Sequence, residues 1–264
     1  QRDTRLMLLI YGLLMLCAVA LVAAVFRYDL YDKEPVIASV LCAAMGAAAM
    51  DGAGRTQVWM MSHWGQAASN SVLGAVEASH VGAVSSWTLN MAAAAGASEE
   101  LGKFLCVLVM AVFARRWFND PLDGLIYGAL AGIGGALEES VNIMLHLDPP
   151  PRSLPATEPV RLTGHLIMGA ITCFGLGALA SRRGSAPAGS SPRKLPFWTI
   201  PACFAAGVAL HSAWDVVAFQ AQQIERMTVD LTAYSLVIMA AGFILFRLLV
   251  RLGSGFSRSA TACA

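Results

Sequence analysis

The sequence predicts an all-α fold, a polytopic membrane helical bundle with seven transmembrane helices, or eight if residues 55–90 also cross. Three observations predict it. Hydrophobic residues make up 57% of the 264 and charged residues only 13%, against about 25% charged in an ordinary soluble domain. The mean hydropathy is +0.61. The apolar residues also fall into runs near the length of about 20 that a helix needs to cross a bilayer. Such spans use up the chain, so residues 1–264 are expected to form a single integral membrane domain.

The first apolar run, 6–26, is longer than the apolar core of a signal peptide. It lacks a small-x-small cleavage site before "RYDLYDKEP", so it is expected to remain as a span. The others are 36–50 (short and Ala-rich), 92–113, 122–147, 160–180, 197–219 and 231–250. Residues 55–90 are only moderately hydrophobic and carry Trp59, Trp64 and Trp87. That composition suits an interfacial helix, an external loop or a poor eighth span. The polar loops "DPPPRSLPATEP" (148–159) and "RRGSAPAGSSPRKLP" (182–196) are rich in Pro and Ser and cannot continue a helix.

Basic residues set the orientation. With seven spans, one side collects Arg115, Arg116, Arg182, Arg183, Arg193, Lys194, Arg247, Arg251 and Arg258, with Arg27 and Lys33. The other has Arg2, Arg5, Arg55, Arg152, Arg161 and Arg226. The richer side is expected to be cytoplasmic, which places the C-terminus inside. A bacterial cytoplasmic membrane is the expected location. The net charge of +1 says nothing about partners, but no basic tract occurs, so nucleic acid is not an expected partner. The six cysteines are scattered without a CxxC pair and read as packing thiols.

Ionisable groups inside these runs are the informative residues, because each costs several kcal/mol in hydrocarbon. Glu99, Glu100 and Lys103 lie early in the third run, and Glu138, Glu139 and Asn142 late in the fourth. His165 is early in the fifth, and His211 and Asp215 are late in the sixth. Alternating span direction brings all four clusters to the same outer half of the membrane, about two turns below the surface. Four helices are thus expected to build one polar site that opens to the outside. Glu99 with Lys103 and His211 with Asp215 are i,i+4 pairs that share a face. Lys103 offsets the burial of the glutamates, and Asp215 is placed to orient His211. Carboxylates and imidazoles in a partly dry cavity suit a general base that activates water.

Blander roles stand beside these. Glu99, Glu100 and Lys103 also suit a buried structural ion pair, and a single membrane histidine often serves as a helix–helix hydrogen bond. Glu138 and Asn142 read as supporting residues. Asn119, Asp120 and Asp123 read as capping groups, and Asp51, His63, Glu77 and His80 as solvated.

Four ordered motifs, "EELGK" (99–103), "DPLDGLIYGALAGIGGALEESVN" (120–142), "RLTGHLIMGAITCFGLGAL" (161–179) and "LHSAWD" (210–215), resemble the PrsW family of intramembrane proteases. So does "YDKEP" (31–35), and the likeness covers roughly residues 28–220. That family is related to the CAAX prenyl proteases, the bacteriocin-immunity proteins and a scaffold subunit of γ-secretase. The resemblance implies an endopeptidase that cleaves a membrane-anchored protein near the outer face, as relatives do with anti-sigma factors. It places the EExxK motif on Glu99, Glu100 and Lys103, the acid of FxxxE on Glu139, a single histidine on His165, and HxxxD on His211 and Asp215. Gly135 stands where the family usually has Phe, and Ser140 where Asn usually follows the acid.

Glu99, Glu100, His165 and His211 form a set able to hold zinc. With no HExxH motif and Lys103 in competition, a metal-free glutamate mechanism without a cofactor is the expectation. A proton- or ion-coupled transporter using the same Glu/His chain is the alternative from a different class, and a non-catalytic scaffold relative is a third.

Overall fold

In a computed structural model of the chain, residues 4–27, 33–69, 84, 86–120, 122–147, 151–181, 194–223 and 229–261 are described. Helix α1 spans Thr4–Val25, α2 Val36–Ser69, α3 Ser86–Phe113 and α4 Asp123–His146. They are followed by α5 Thr157–Phe174, the short α6 Gly177–Ala180, α7 Thr199–Gln223 and α8 Val229–Thr261. No strand occurs among the described residues. Among the described residues, five stretches are long and apolar enough to cross a membrane: Thr4–Val25, Val36–Met60, Thr157–Ala180, Thr199–Ala221 and Val229–Gly255. At 28 and 24 residues, α3 and α4 also have the length, but they carry the acids of the site. The helical membrane bundle expected from the sequence is therefore what forms.

Helices α4 and α5 make the centre. Every residue of α4 from Asp123 to Ala136 is buried, and so is 89% of the apolar window of Thr157–Ala180. The two helices pack against each other, with α2 on the other flank of α4 and α7 on the other flank of α5; α3 closes the ring between α2 and α7. Small residues permit this closeness. A Cβ on Gly132 would collide with the backbone of His165 on α5, and one on Gly46 of α2 with the backbone of Ala131. Outside this centre the helices present apolar side chains outward. Helix α1 buries Met7, Ile10, Leu14 and Ala18 at helical spacing and exposes Leu8, Leu9, Leu13 and Leu16. That division suits a helix with protein on one side and lipid on the other.

At the end of the bundle where the chain enters α4, a polar latch joins the segment just before α2 to α4. The Tyr127 hydroxyl donates to Glu34 Oε2, and its ring stacks on Phe118 with centroids 6.2 Å apart. Asp123 Oδ2 accepts the backbone N–H groups of Asn119 and Asp120, at 2.6 and 2.7 Å, closing the turn before the helix. Glu34 belongs to the "YDKEP" stretch, whose Tyr31 and Asp32 lie outside the described residues.

Two boundary expectations are corrected. The second helix does not stop at residue 50; α2 runs to Ser69, and α3 begins at Ser86 rather than at 92. Falling hydropathy after Met50 marks the loss of an apolar surface, not the end of the backbone hydrogen-bond ladder. No proline interrupts 36–69, and Arg55 Nε pairs with Asp51 Oδ2 one turn earlier at 2.9 Å, supporting the exposed face. The rest of the uncertain zone, 70–83 and 85 with Glu77 and His80, lies outside the described residues, as do 148–150 and 182–193 of the two polar loops.

Candidate active site

Helix α3 delivers Glu99, Glu100 and Lys103 side by side, and the two carboxylates diverge. Glu100 is fully buried and Lys103 is 1% exposed. Lys103 Nζ donates to Glu100 Oε1 at 2.5 Å, Thr172 Oγ1 of α5 donates to Oε2 at 2.6 Å, and His211 Nδ1 of α7 lies 2.7 Å from Oε1. Both oxygens of Glu100 are thus occupied, one by an ammonium. Of the two glutamates that share a face with Lys103, it is Glu100, at i,i+3, that makes the ion pair. Both spacings lie on one helix face, and the inward position of Glu100 decides between them.

Glu99 faces the other way. Its Oε1 accepts a hydrogen bond from Gln57 Nε2 of α2 at 2.9 Å. Its Oε2 has no hydrogen-bond partner among the described residues and lies 3.2 Å from His211 Nε2 and 4.0 Å from His165 Nδ1. The two imidazoles meet edge to face, centroids 4.9 Å apart. On the far side of His165, Nε2 lies 3.2 Å from Glu139 Oε2. The other Glu139 oxygen is held by Arg161 Nη1 of α5, whose Nε lies 3.5 Å from the buried Glu158.

Each histidine therefore has one nitrogen against an outer carboxylate, Glu100 or Glu139, and its second nitrogen toward Glu99 Oε2. The carboxylate closest to His211 is Glu100, while Asp215 Oδ2 stands 3.8 Å from Nε2 without a hydrogen bond. The hydrogen bond that orients His211 thus comes from across the bundle, from Glu100.

Two cavities of about 460 and 370 Å3 share Gln57, Glu99, Glu139 and Ile143 as their common wall. The larger is bounded by Asp51, Glu138 and Asn142, which places Glu138 and Asn142 beside the cluster rather than within it. The smaller is lined by Arg161, His165, Trp214, Asp215 and Phe219. Gly135 lies under the methyl of Met50, where α2 crosses α4, so the place of the usual Phe is taken by a neighbouring helix.

The donor set fits a divalent cation. Glu99, His165 and His211 each offer a ligand atom, all within 4.8 Å of one another. Ligands about 2.0–2.1 Å from a tetrahedral zinc stand about 3.3 Å apart, near the 3.2 and 4.0 Å separations here. His211 also has, in Glu100, the outer carboxylate that fixes the tautomer of a metal-binding imidazole, while Glu139 Oε2 approaches His165 Nε2 at 3.2 Å without a hydrogen bond. Among the described residues, Glu99 Oε2, Glu139 Oε2, His165 Nδ1 and Asp215 Oδ2 are buried without hydrogen-bond partners, an arrangement costly for a closed core and suited to a site that receives something. Glu100, part of the four-ligand set read from the sequence, is not in this group, because its oxygens are taken. Lys103 is held by Glu100, so its competition with a cation at Glu99 loses its basis.

Sequence reasoning missed Gln57, Arg161 and Thr172 as members of the site. Arg161 and Thr172 sit four residues before and seven after His165, on the same face of α5, and that spacing was the available signal. Gln57 had none.

No curated protein and no solved structure matches this chain. The family models do supply a match, over residues 3–246, to the one described as PrsW family intramembrane metalloprotease. With most of its length matched, the chain belongs to the PrsW family of intramembrane proteases.

Proposed function

We propose that this protein is an endopeptidase that hydrolyses a membrane-anchored protein within the outer half of the bilayer, in the manner of the anti-sigma-factor cleavage that the resemblance implies. The observation that carries the proposal is the meeting of Glu99, His165 and His211, from three helices, with Glu99 in the wall shared by two cavities and His165 lining the smaller one. The outer location rests on the basic residues at the opposite end of the helices, Arg115 and Arg116 above all. Roughly 1.5 Å per residue puts the cluster about 10 to 20 Å from the outer helix ends. The whole chain acts as one membrane-embedded unit.

Glu99, His165 and His211 would hold the cation. A zinc ion there would supply Lewis-acid polarisation of the scissile carbonyl and make the attacking water more acidic. Everything else falls to the chain's own groups. Glu139, with one oxygen held by Arg161, keeps Oε2 toward the reacting space and takes the proton from the attacking water. The new C–O bond forms as that proton leaves the water. Glu139 then returns it to the amide nitrogen as the C–N bond breaks. Glu100 holds His211 through Nδ1 and takes no part in proton transfer, since Lys103 and Thr172 fill its remaining capacity. Asp215, 3.8 Å from His211 Nε2, adds negative charge on the side where the imidazole meets Glu99.

The test uses purified protein reconstituted with a single-span protein substrate in sealed vesicles, with products identified by mass spectrometry. Cleavage at a bond near the outer face supports the proposal. Proton or ion flux without any cleavage would replace it with the transport reading.

A further inference from the structure

Resting on the endopeptidase reading, we propose that Gln57 is a positioning residue whose side-chain amide aims Glu99 at the two histidines. Glu99 and Glu100 are adjacent in sequence yet receive opposite treatment. Glu100 accepts from an ammonium, a hydroxyl and an imidazole. Glu99 receives one hydrogen bond from a neutral donor, Gln57 Nε2, at 2.9 Å.

That difference matters chemically. A free carboxylate turns broadly about its last torsion, with two equivalent oxygens. Gln57 removes the equivalence by engaging Oε1, which leaves Oε2 toward His211 Nε2 and His165 Nδ1. A neutral amide does this without quenching the negative charge, as Lys103 does for Glu100.

The donor is well anchored. It comes from α2, which is seated against α4 where Gly46 meets Ala131 and Gly134 meets Ala43, and against α3 where Gly102 meets Ala49. Arg55, one turn fraction away on the same helix, is committed to Asp51 on the exposed face and leaves Glu99 to Gln57. Gln57 also borders both cavities, so it stands beside the reacting space rather than behind it.

The experiment compares Gln57→Met, which keeps length and removes the donor, with Gln57→Glu, which sets a like charge beside Glu99. Outer partners of metal-binding groups are typically worth 10–100-fold in activity or affinity. Gln57→Met should therefore lose kcat by about 10–100-fold with KM within about two-fold and the melting temperature unchanged. Gln57→Glu should lose more. Co2+ affinity, measured by the visible absorption of the cobalt-loaded protein, should fall in Gln57→Met by a similar factor. Wild-type kcat and cobalt affinity in Gln57→Met would overturn the proposal, as would a loss of kcat that only follows a loss of thermal stability. If the wild-type protein cleaves nothing, the endopeptidase reading fails by itself, and the cobalt comparison still decides whether Gln57 aims Glu99. A wild-type protein that neither cleaves nor binds cobalt overturns both.

Discussion

Glu100 and His211, 111 residues apart, meet at 2.7 Å between Oε1 and Nδ1, with Lys103 Nζ 2.5 Å from the same oxygen. This contact ties α3 to α7 and fixes which imidazole nitrogen turns toward Glu99. It also separates the roles of the two adjacent glutamates, Glu100 as the group that orients and Glu99 as the group with an oxygen to offer.

Glu100→Gln should therefore damage the fold as well as the activity. Removing one partner of a buried ion pair leaves the other charge uncompensated, at a cost of about 3–5 kcal/mol. Denaturant unfolding in detergent should show that loss, and the double variant Glu100→Gln with Lys103→Met should recover much of it. A Glu100→Gln protein as stable as wild type would mean that Lys103 finds another partner.

The convergence of Glu99, Glu100, Glu139, His165 and His211 was legible in the sequence, because ionisable residues in apolar runs are few and alternating span direction sets their depth. What pairs with what was not. Lys103 lies within reach of both glutamates along one helix face, and only packing selects Glu100. Thr172 reads as a small interface residue until α3 is set beside it. Gln57 was hidden by the weak hydropathy of its segment, since α2 continues as a helix past the point where it stops being apolar. The bundle itself was legible, and the length of α2 was not.

The close approach of α4 and α5 makes Gly132 a sensitive position. A methyl there meets the backbone oxygen of His165, and overpacking of this kind costs about 1–3 kcal/mol. Gly132→Ala should lower both the melting temperature and kcat, because His165 must move to make room. Gly12→Ala on α1, where a Cβ meets nothing within 4 Å, should leave both unchanged or raise stability by up to about 1 kcal/mol through helix propensity. Equal behaviour of the two variants would contradict the packing described.

A cation held by Glu99, His165 and His211 would make cleavage metal-dependent. A strong chelator should stop cleavage and added Zn2+ should restore it. Bound zinc, measured by atomic emission, should be lost in His165→Ala and His211→Ala and retained in Glu138→Gln, whose carboxylate lies in the larger cavity outside the cluster. Undiminished cleavage by thoroughly chelated enzyme would return the site to metal-free glutamate chemistry, with Glu99 Oε2 the oxygen facing both histidines.

The most direct measurement is the cleavage rate of Glu99→Gln beside wild type, in reconstituted vesicles with a single-span substrate, on protein shown to be folded and monodisperse. Replacing Oε2 by an amide alters the one group that both histidines face and leaves the Glu100–Lys103–His211 contacts in place. The predicted result is a folded protein with no detectable cleavage. A Glu99→Gln protein that cleaves at the wild-type rate would contradict the site.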